Sequence, residues 1–208
     1  MTPLLDVTLA GKFATLSPLG LDDVPGLLGA ACEDRISYGF TPVPDTDDRM
    51  RRLVREHLAE HERGLSVPFT TRNTITGSIV GMTRFLNLRW WYGREFPDGA
   101  EIGSTFLAAS AQRTAINTDA KLLMLAHAFD TWHVQRLDLK TDERNIRSRA
   151  AIERLGAHFD GILRNWQPSA VRGEEQRARN TAMYSILPSE WAGVRDALSE
   201  RLRTPETS

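Results

Sequence analysis

Several places in this sequence carry residue types able to do chemistry. His57, Glu60 and His61 fall in a segment of helical periodicity with the spacing H-x-x-E-H. Two histidines one turn apart can grip zinc, with the glutamate as base. The stretch Gln112-Arg113-Thr114-Ala115-Ile116-Asn117 lies between a strand-like run, Ala100 to Leu107, and a helical run from Asn117 to Phe129. A strand feeding a helix through a short polar loop gathers free N–H groups and the positive end of the helix dipole at one spot, which suits an anion such as a pyrophosphate. Glu101 heads the strand-like run, where a carboxylate can take a proton from an ammonium nucleophile. Asn145 and Ser148 form an Asn-x-x-Ser pair at a helix start, which read alone is an N-cap with a polar neighbour. Cys32, the single cysteine, sits in an apolar helical stretch and is expected to be an inert buried thiol.

The elements that must position these groups follow from periodicity and punctuation. Lys12 to Ser17 reads as a strand stopped by Pro18, and Asp22 to Cys32 as a helix with acidic residues in its first turn. Glu33 to Pro44 is loop, and a second helix runs from Asp45 or Thr46 to Arg63, closed by Gly64. Ser66 to Arg72 and Gly77 to Phe85 form a hairpin about NTITG. A polar and aromatic connection, Asn87 to Gly99, leads into the central strand. Arg136 to Lys140 is a strand, Asn145 to Leu155 a helix closed by Gly156, Ala157 to Arg164 and Thr181 to Leu187 strands, and Pro188 to Arg203 a terminal helix. The order of elements predicts an α/β (α+β) fold in one domain spanning residues 1–208.

Composition narrows the function classes. With 26 basic and 27 acidic side chains among 208 residues the net charge is −1, which argues against nucleic acid as a partner. No apolar run approaches the ~20 residues that span a bilayer, so no membrane partner is expected. One cysteine and the absence of a secretory-type start point to a cytoplasmic protein. The loop Gln112 to Asn117 lacks the glycines of a Walker loop or a dinucleotide fingerprint.

The run EIGSTFLAASAQRTAINTDAK, followed by RLDLKTDERNIRSRAAIERLGAHFDGILRNW, resembles the acyl-CoA binding core of the GNAT N-acyltransferases, in particular the branch containing the ribosomal-protein-alanine N-acetyltransferases. The likeness extends from LSPLGLDDVPGLL near the start to AMYSILPSEW near the end. It implies a mixed, centrally splayed sheet flanked by helices, with acetyl-CoA or another acyl-CoA lying between the strand ending at Leu107 and the strand from Arg136 to Lys140. By the same resemblance Gln112, Arg113, Thr114, Ala115, Ile116 and Asn117 cradle the pyrophosphate, with Arg113 as counter-charge. Ala115 stands where the family has glycine. Asn145 matches the residue that contacts the pantetheine arm.

The likeness also implies catalytic roles. Glu101 would be the base. Ser148 would protonate the leaving thiolate, since Ile152 occupies the position of the tyrosine that many members use. The second helix borders the acceptor pocket in this fold, so His57 and His61 become candidate acceptor contacts, and Trp90 and Trp91 can wall the same site. The polar segment Gln167 to Asn180 lies where acceptor-specificity elements occur. The expected reaction is direct transfer of an acyl group to a primary amine, on a protein N-terminus or a small molecule, with no metal and with homodimerisation open. Two rival readings are a non-catalytic CoA-binding module and a zinc hydrolase built on His57, Glu60 and His61.

Overall fold

The computed structural model describes residues 6–174 and 176–203. The chain opens with β1 (Leu9–Ala10) and β2 (Ala14–Pro18), an antiparallel pair. Pro18 lacks the N–H to extend the ladder, and β2 ends there. A single tight turn, Leu21–Asp23, precedes α1 (Val24–Cys32), whose first turn accepts a proline because that N–H has no helical partner in any case. α1 buries Val24, Leu27, Ala30 and Ala31, and this spacing turns Cys32 outward. Cys32 is exposed, contrary to the buried thiol expected from its apolar neighbours.

α2 (Asp47–Glu62) carries Asp47 and Asp48 in its first turn and buries Met50, Val54 and His57 along one stripe. β3 (Val67–Asn73) and β4 (Ile79–Arg89) form the expected hairpin, and Gly77 adopts φ +71°, the left-handed conformation a tight turn needs.

The central strand, expected to run unbroken from Ala100 to Leu107, is two strands. β5 (Gly99–Ile102) pairs with β4 through Phe85↔Ile102, and β6 (Phe106–Leu107) returns to β4 through Met82↔Phe106. The stretch from Ile102 to Phe106 is one residue longer than the facing stretch of β4, so the chain bulges at Gly103, Ser104 and Thr105. A short turn, Ala109–Ala111, leads to α3 (Ala115–Ala126), which starts two residues earlier than its sequence pattern suggests because Thr114 supplies the cap.

β7 (Arg136–Asp142), α4 (Ile146–Glu153), β8 (His158–Pro168), β9 (Ala178–Ile186) and α5 (Pro188–Arg203) complete the chain. The hairpin strands β8 and β9 are longer than expected, so much of the polar segment Gln167 to Asn180 belongs to the hairpin and its tip. The nine-stranded sheet is ordered β1-β2-β3-β4-β5-β7-β9-β8, with β6 beside β4. All neighbours are antiparallel except β5 and β7, which run parallel through Gly99↔Arg136, Ala100↔Leu137 and Glu101↔Asp138. This is the mixed, centrally splayed α/β sheet that the sequence implied. The core on its faces is built of Leu16, Phe69, Phe85, Met124, Leu137 and Tyr184, each essentially sealed from solvent. Among the described residues no helix is long and apolar enough to cross a membrane.

Candidate active site

Register between β5 and β7 stops at Glu101↔Asp138 because β6 follows β4 while β7 continues toward β9. A cavity of about 1080 Å³ fills the gap. Its walls come from the bulge after β5, from β7, from the N-terminal turns of α3 and α4, and from the tip of the β8–β9 hairpin.

At the outer end the α3 N-terminus faces the cavity through Asn117, with Gln112 and Arg113 beside it. The Thr114 hydroxyl donates to the Ala111 carbonyl at 2.7 Å and accepts from the Ile116 N–H at 3.3 Å, locking the turn. Arg113 takes φ +60°, so the left-handed residue of the loop is Arg113. Ala115 is not among the positive-φ residues; it is the first residue of α3 and its methyl causes no backbone strain. The Gln112 side chain is a brace: Nε2 donates to Ser37 Oγ at 2.9 Å and to the Leu107 carbonyl at 2.8 Å, and Oε1 accepts from Arg147. Arg147, exposed and on the cavity rim, is a second cation beside Arg113 that the sequence pattern did not mark.

Asn145 is the N-cap of α4, as its Asn-x-x-Ser spacing predicts, and it also lines the cavity. Its Oδ1 accepts from the Ser148 N–H at 3.1 Å, and Ser148 lines the same wall one turn on.

Glu101 also lines the cavity. Its carboxylate is buried, and Oε2 holds both an ion pair with Lys140 Nζ at 3.0 Å and a hydrogen bond from Asn87 Nδ2 at 2.7 Å. Arg179, on the wall of the same cavity, is buried with its Nε unpartnered, and burial pushes its pKa down. Asp142 and Glu174 each pair with Arg144, tying β7 to the loop after β8; the Arg144 and Ser169 hydrogen bonds hold Glu174 down at about 2.

The inner end opens into a side pocket of about 260 Å³. His57 lines it, is only 5 % exposed, and its Nδ1 has no partner. Desolvation, then the nearby Arg84 charge, lower its pKa to about 3, so the ring is neutral. Arg84 pairs with Glu60 through Nη1, while its buried Nε is unpartnered. Behind the pocket wall Lys121 donates to Thr105 Oγ1 at 2.8 Å and Thr83 Oγ1 at 3.2 Å, and burial pushes its pKa down to about 7.

Three residues expected at the acceptor site stand elsewhere. His61 uses Nδ1 on the Ser66 carbonyl at 2.9 Å and Nε2 on Asp6 at 3.0 Å, which fastens the end of α2 and turns the ring from the cavity. Trp90 and Trp91 do not line it, because the buried Asp98 carboxylate gathers their connection at the far end of β4. Its oxygens accept from the Trp91 and Tyr92 N–H groups at 2.6 and 2.9 Å and from Arg94 Nε at 2.5 Å. Trp91 lies half-exposed with the Arg89 guanidinium 5.6 Å from its ring. The zinc arrangement loses its parts to the same contacts: Glu60 is held by Arg84 and both His61 nitrogens are engaged. Among the described residues no group of three or more metal-ligating side chains converges.

Residues 14–158 match the sequence profile of the acetyltransferase (GNAT) domain. The chain belongs to the GNAT acetyltransferase family. Solved GNAT structures share its fold. A GCN5-related N-acetyltransferase from Brucella melitensis superposes with a TM-score of 0.83 at 23% identity, over 97% of this chain and 87% of that one. Mycobacterium smegmatis RimJ, solved with CoA-disulfide, gives 0.75 at 20% identity over 97% and 94%. The Salmonella typhimurium acetyltransferase that modifies the N-terminal serine of L7/L12 gives 0.72 at 16% identity over 87% and 99%. No match was found among curated proteins. GNAT acetyltransferases use acetyl-CoA, and the cavity suits that substrate. It is long, it carries a helix N-terminus and two exposed guanidinium groups at its outer end, and Arg179 Nε inside it lacks a partner.

Proposed function

We propose that this GNAT domain transfers an acyl group from acyl-CoA to a primary amine by direct attack of the amine on the thioester. The observation that carries the reading is Glu101, a buried carboxylate in the cleft between the diverging strands, with Oε2 held by Lys140 and Asn87. Among the described residues no hydrogen bond reaches Oε1, so that oxygen is available to accept the acceptor's ammonium proton, directly or through one water.

In this reading the α3 N-terminus with Arg113 and Arg147 holds the pyrophosphate, and Asn145 holds the pantetheine amide. The Ser148 hydroxyl lies on the wall that the sulfur would pass and donates a proton to the departing thiolate. Holding both reactants in one cleft supplies most of the acceleration, since orientation removes the entropic part of the barrier. The acceptor reaches Glu101 from the side of Asn87 and the β8–β9 tip. A protein N-terminus is one candidate acceptor, since the structurally similar L7/L12 enzyme above modifies an N-terminal serine.

Thiol release from acetyl-CoA, measured across peptides with free N-termini and a set of polyamines, tests the proposal. Acceptor-dependent release that disappears in Glu101→Gln is expected. Tight CoA binding without release for any acceptor would make the domain a CoA-binding module instead.

A further inference from the structure

Where the inner pocket meets the main cavity stand groups the proposed transfer does not use: His57 and Arg84 line the pocket, and Lys121 lines the main cavity. Lys121 is 6 % exposed and finds only two threonine hydroxyls, with no carboxylate within its hydrogen bonds. Arg84 leaves its buried Nε unpartnered, and His57 leaves Nδ1 unpartnered. Buried polar groups are normally satisfied, and a buried cation normally meets an anion. A lysine with no carboxylate partner, a guanidinium Nε left over from the Glu60 pair and an unpartnered imidazole nitrogen, gathered at one junction, describe half of an interaction.

The missing half is an oxygen acceptor bearing negative charge. Arg Nε and Lys Nζ are donors only, so they cannot serve an ammonium. Glu60 does not supply the missing charge, because Arg84 Nη1 already neutralises it, and Glu56 on the rim is exposed to water. Thr105 lines both the pocket and the main cavity and accepts from Lys121, which itself lines the main cavity, so the lysine stands where the two spaces meet. The space of about 260 Å³ exceeds what a methyl group fills. It opens beside Ser104, Thr105 and Phe106, at the bulge where the cleft begins.

We propose that this pocket is an acyl-chain subsite for the terminal carboxylate of a short dicarboxylic acyl-CoA, a four- or five-carbon diacid thioester, bound by Arg84, His57 and the Lys121–Thr105 pair. The inference rests on the acyl-CoA reading above and narrows its donor. The transfer itself is unchanged: the amine nitrogen forms the new bond to the thioester carbonyl, the C–S bond breaks, and the distal carboxylate stays intact.

Equilibrium binding of acetyl-CoA, butyryl-CoA and succinyl-CoA to the full chain tests the subsite, because the last two differ in charge at nearly equal length. Succinyl-CoA is expected to bind about tenfold tighter than butyryl-CoA, the worth of one charge-assisted contact. Lys121→Met and Arg84→Met should each remove most of that preference while acetyl-CoA affinity changes less than about twofold. Circular dichroism confirms that each variant is folded, and Lys121→Met, which removes a buried charge, guards against loss of fold in the Arg84 variant. Equal binding of butyryl- and succinyl-CoA, or a preference that survives in both folded variants, overturns the subsite and leaves the acyltransferase reading intact. Failure of all three thioesters to bind would remove that reading itself.

Discussion

At its outer end the cavity is lined by groups from short contiguous stretches, the loop Gln112 to Asn117 and the turn at Asn145 to Ser148. At its inner end His57 comes from α2, Arg84 from β4, Thr105 from the bulge and Lys121 from the middle of α3. The outer groups are partly exposed and offer backbone N–H donors and mobile guanidinium groups. Of the inner ones His57 and Lys121 are buried and Arg84 and Thr105 partly so, and His57 and Arg84 keep atoms without partners. The difference separates two tasks. An exposed cradle holds a common handle cheaply and tolerates substitution. A pocket that leaves buried polar atoms unpartnered costs stability in the free protein and returns it only to a ligand that matches.

The sharpest break in that comparison is Glu101, which lines the main cavity. Glu101→Gln keeps the Asn87 contact in shape but cannot take a proton. Turnover is expected to fall about 10²-fold or more while CoA affinity, read by calorimetry, stays within about twofold.

Lys121 tests the cost of the inner end. Its pKa is lowered from 10.5 to about 7 by burial. Between those values the unfolded chain binds a proton that the folded chain does not, so stability rises with pH across that window and is lost as pH falls toward 7. From pH 7 to 9 denaturant unfolding of the wild type should gain roughly 2 kcal/mol that Lys121→Met does not show.

His57 extends the same test to acid. With the folded pKa lowered from 6.5 to about 3, the unfolded chain takes up the extra proton below pH 6.5 and stability falls as pH drops. Between pH 6.5 and 5 the loss should be about 2 kcal/mol, and His57→Gln should be flatter over that interval. An unchanged slope in the variant would assign the acid sensitivity to other groups.

At the outer end effects are smaller. Arg113→Ala should weaken CoA binding about tenfold at low salt and less at physiological ionic strength, because an exposed charge is screened. Ala115→Gly should change CoA affinity less than about twofold and cost at most about 1 kcal/mol of stability, the helix-propensity penalty. A large gain in affinity for the glycine variant would mean that the methyl obstructs the phosphate.

The same contrast explains what could be read from the residues alone. The outer end is legible because a cap, a polar loop and a dipole are local: the loop Gln112 to Asn117 and the cap Asn145 announce themselves within a few positions, although the cap Thr114 shifts the helix start by two residues. The fold was legible for a related reason, since hairpins and helix starts are marked by glycine, proline and capping residues. The inner end was not. Arg84 and Lys121 look like ordinary charges on a strand and a helix, and only the packing of α2 and α3 on β4 takes them out of water. His57 was found through a zinc-like spacing, and its neighbour His61 shows why spacing misleads: one turn further along, the ring is spent on Ser66 and Asp6. Trp90 and Trp91 were drawn toward the site by their aromatic character, but the Asp98 carboxylate decides where their loop goes.

The three register pairs between β5 and β7 bear on how the molecule breathes. Among the described residues they are the only ladder joining β1–β6 to β7–β9, and Trp191 of α5 stacks on Phe129 at 5.4 Å and donates to Asp130 at 2.7 Å. Few ladder bonds hold these two units of the sheet together there, so opening is expected to cost least along that seam. A ligand that touches both lips of the cleft cross-links those units. Amide exchange in β7 and in β4 should therefore slow together when CoA binds, although the two strands share no hydrogen bond.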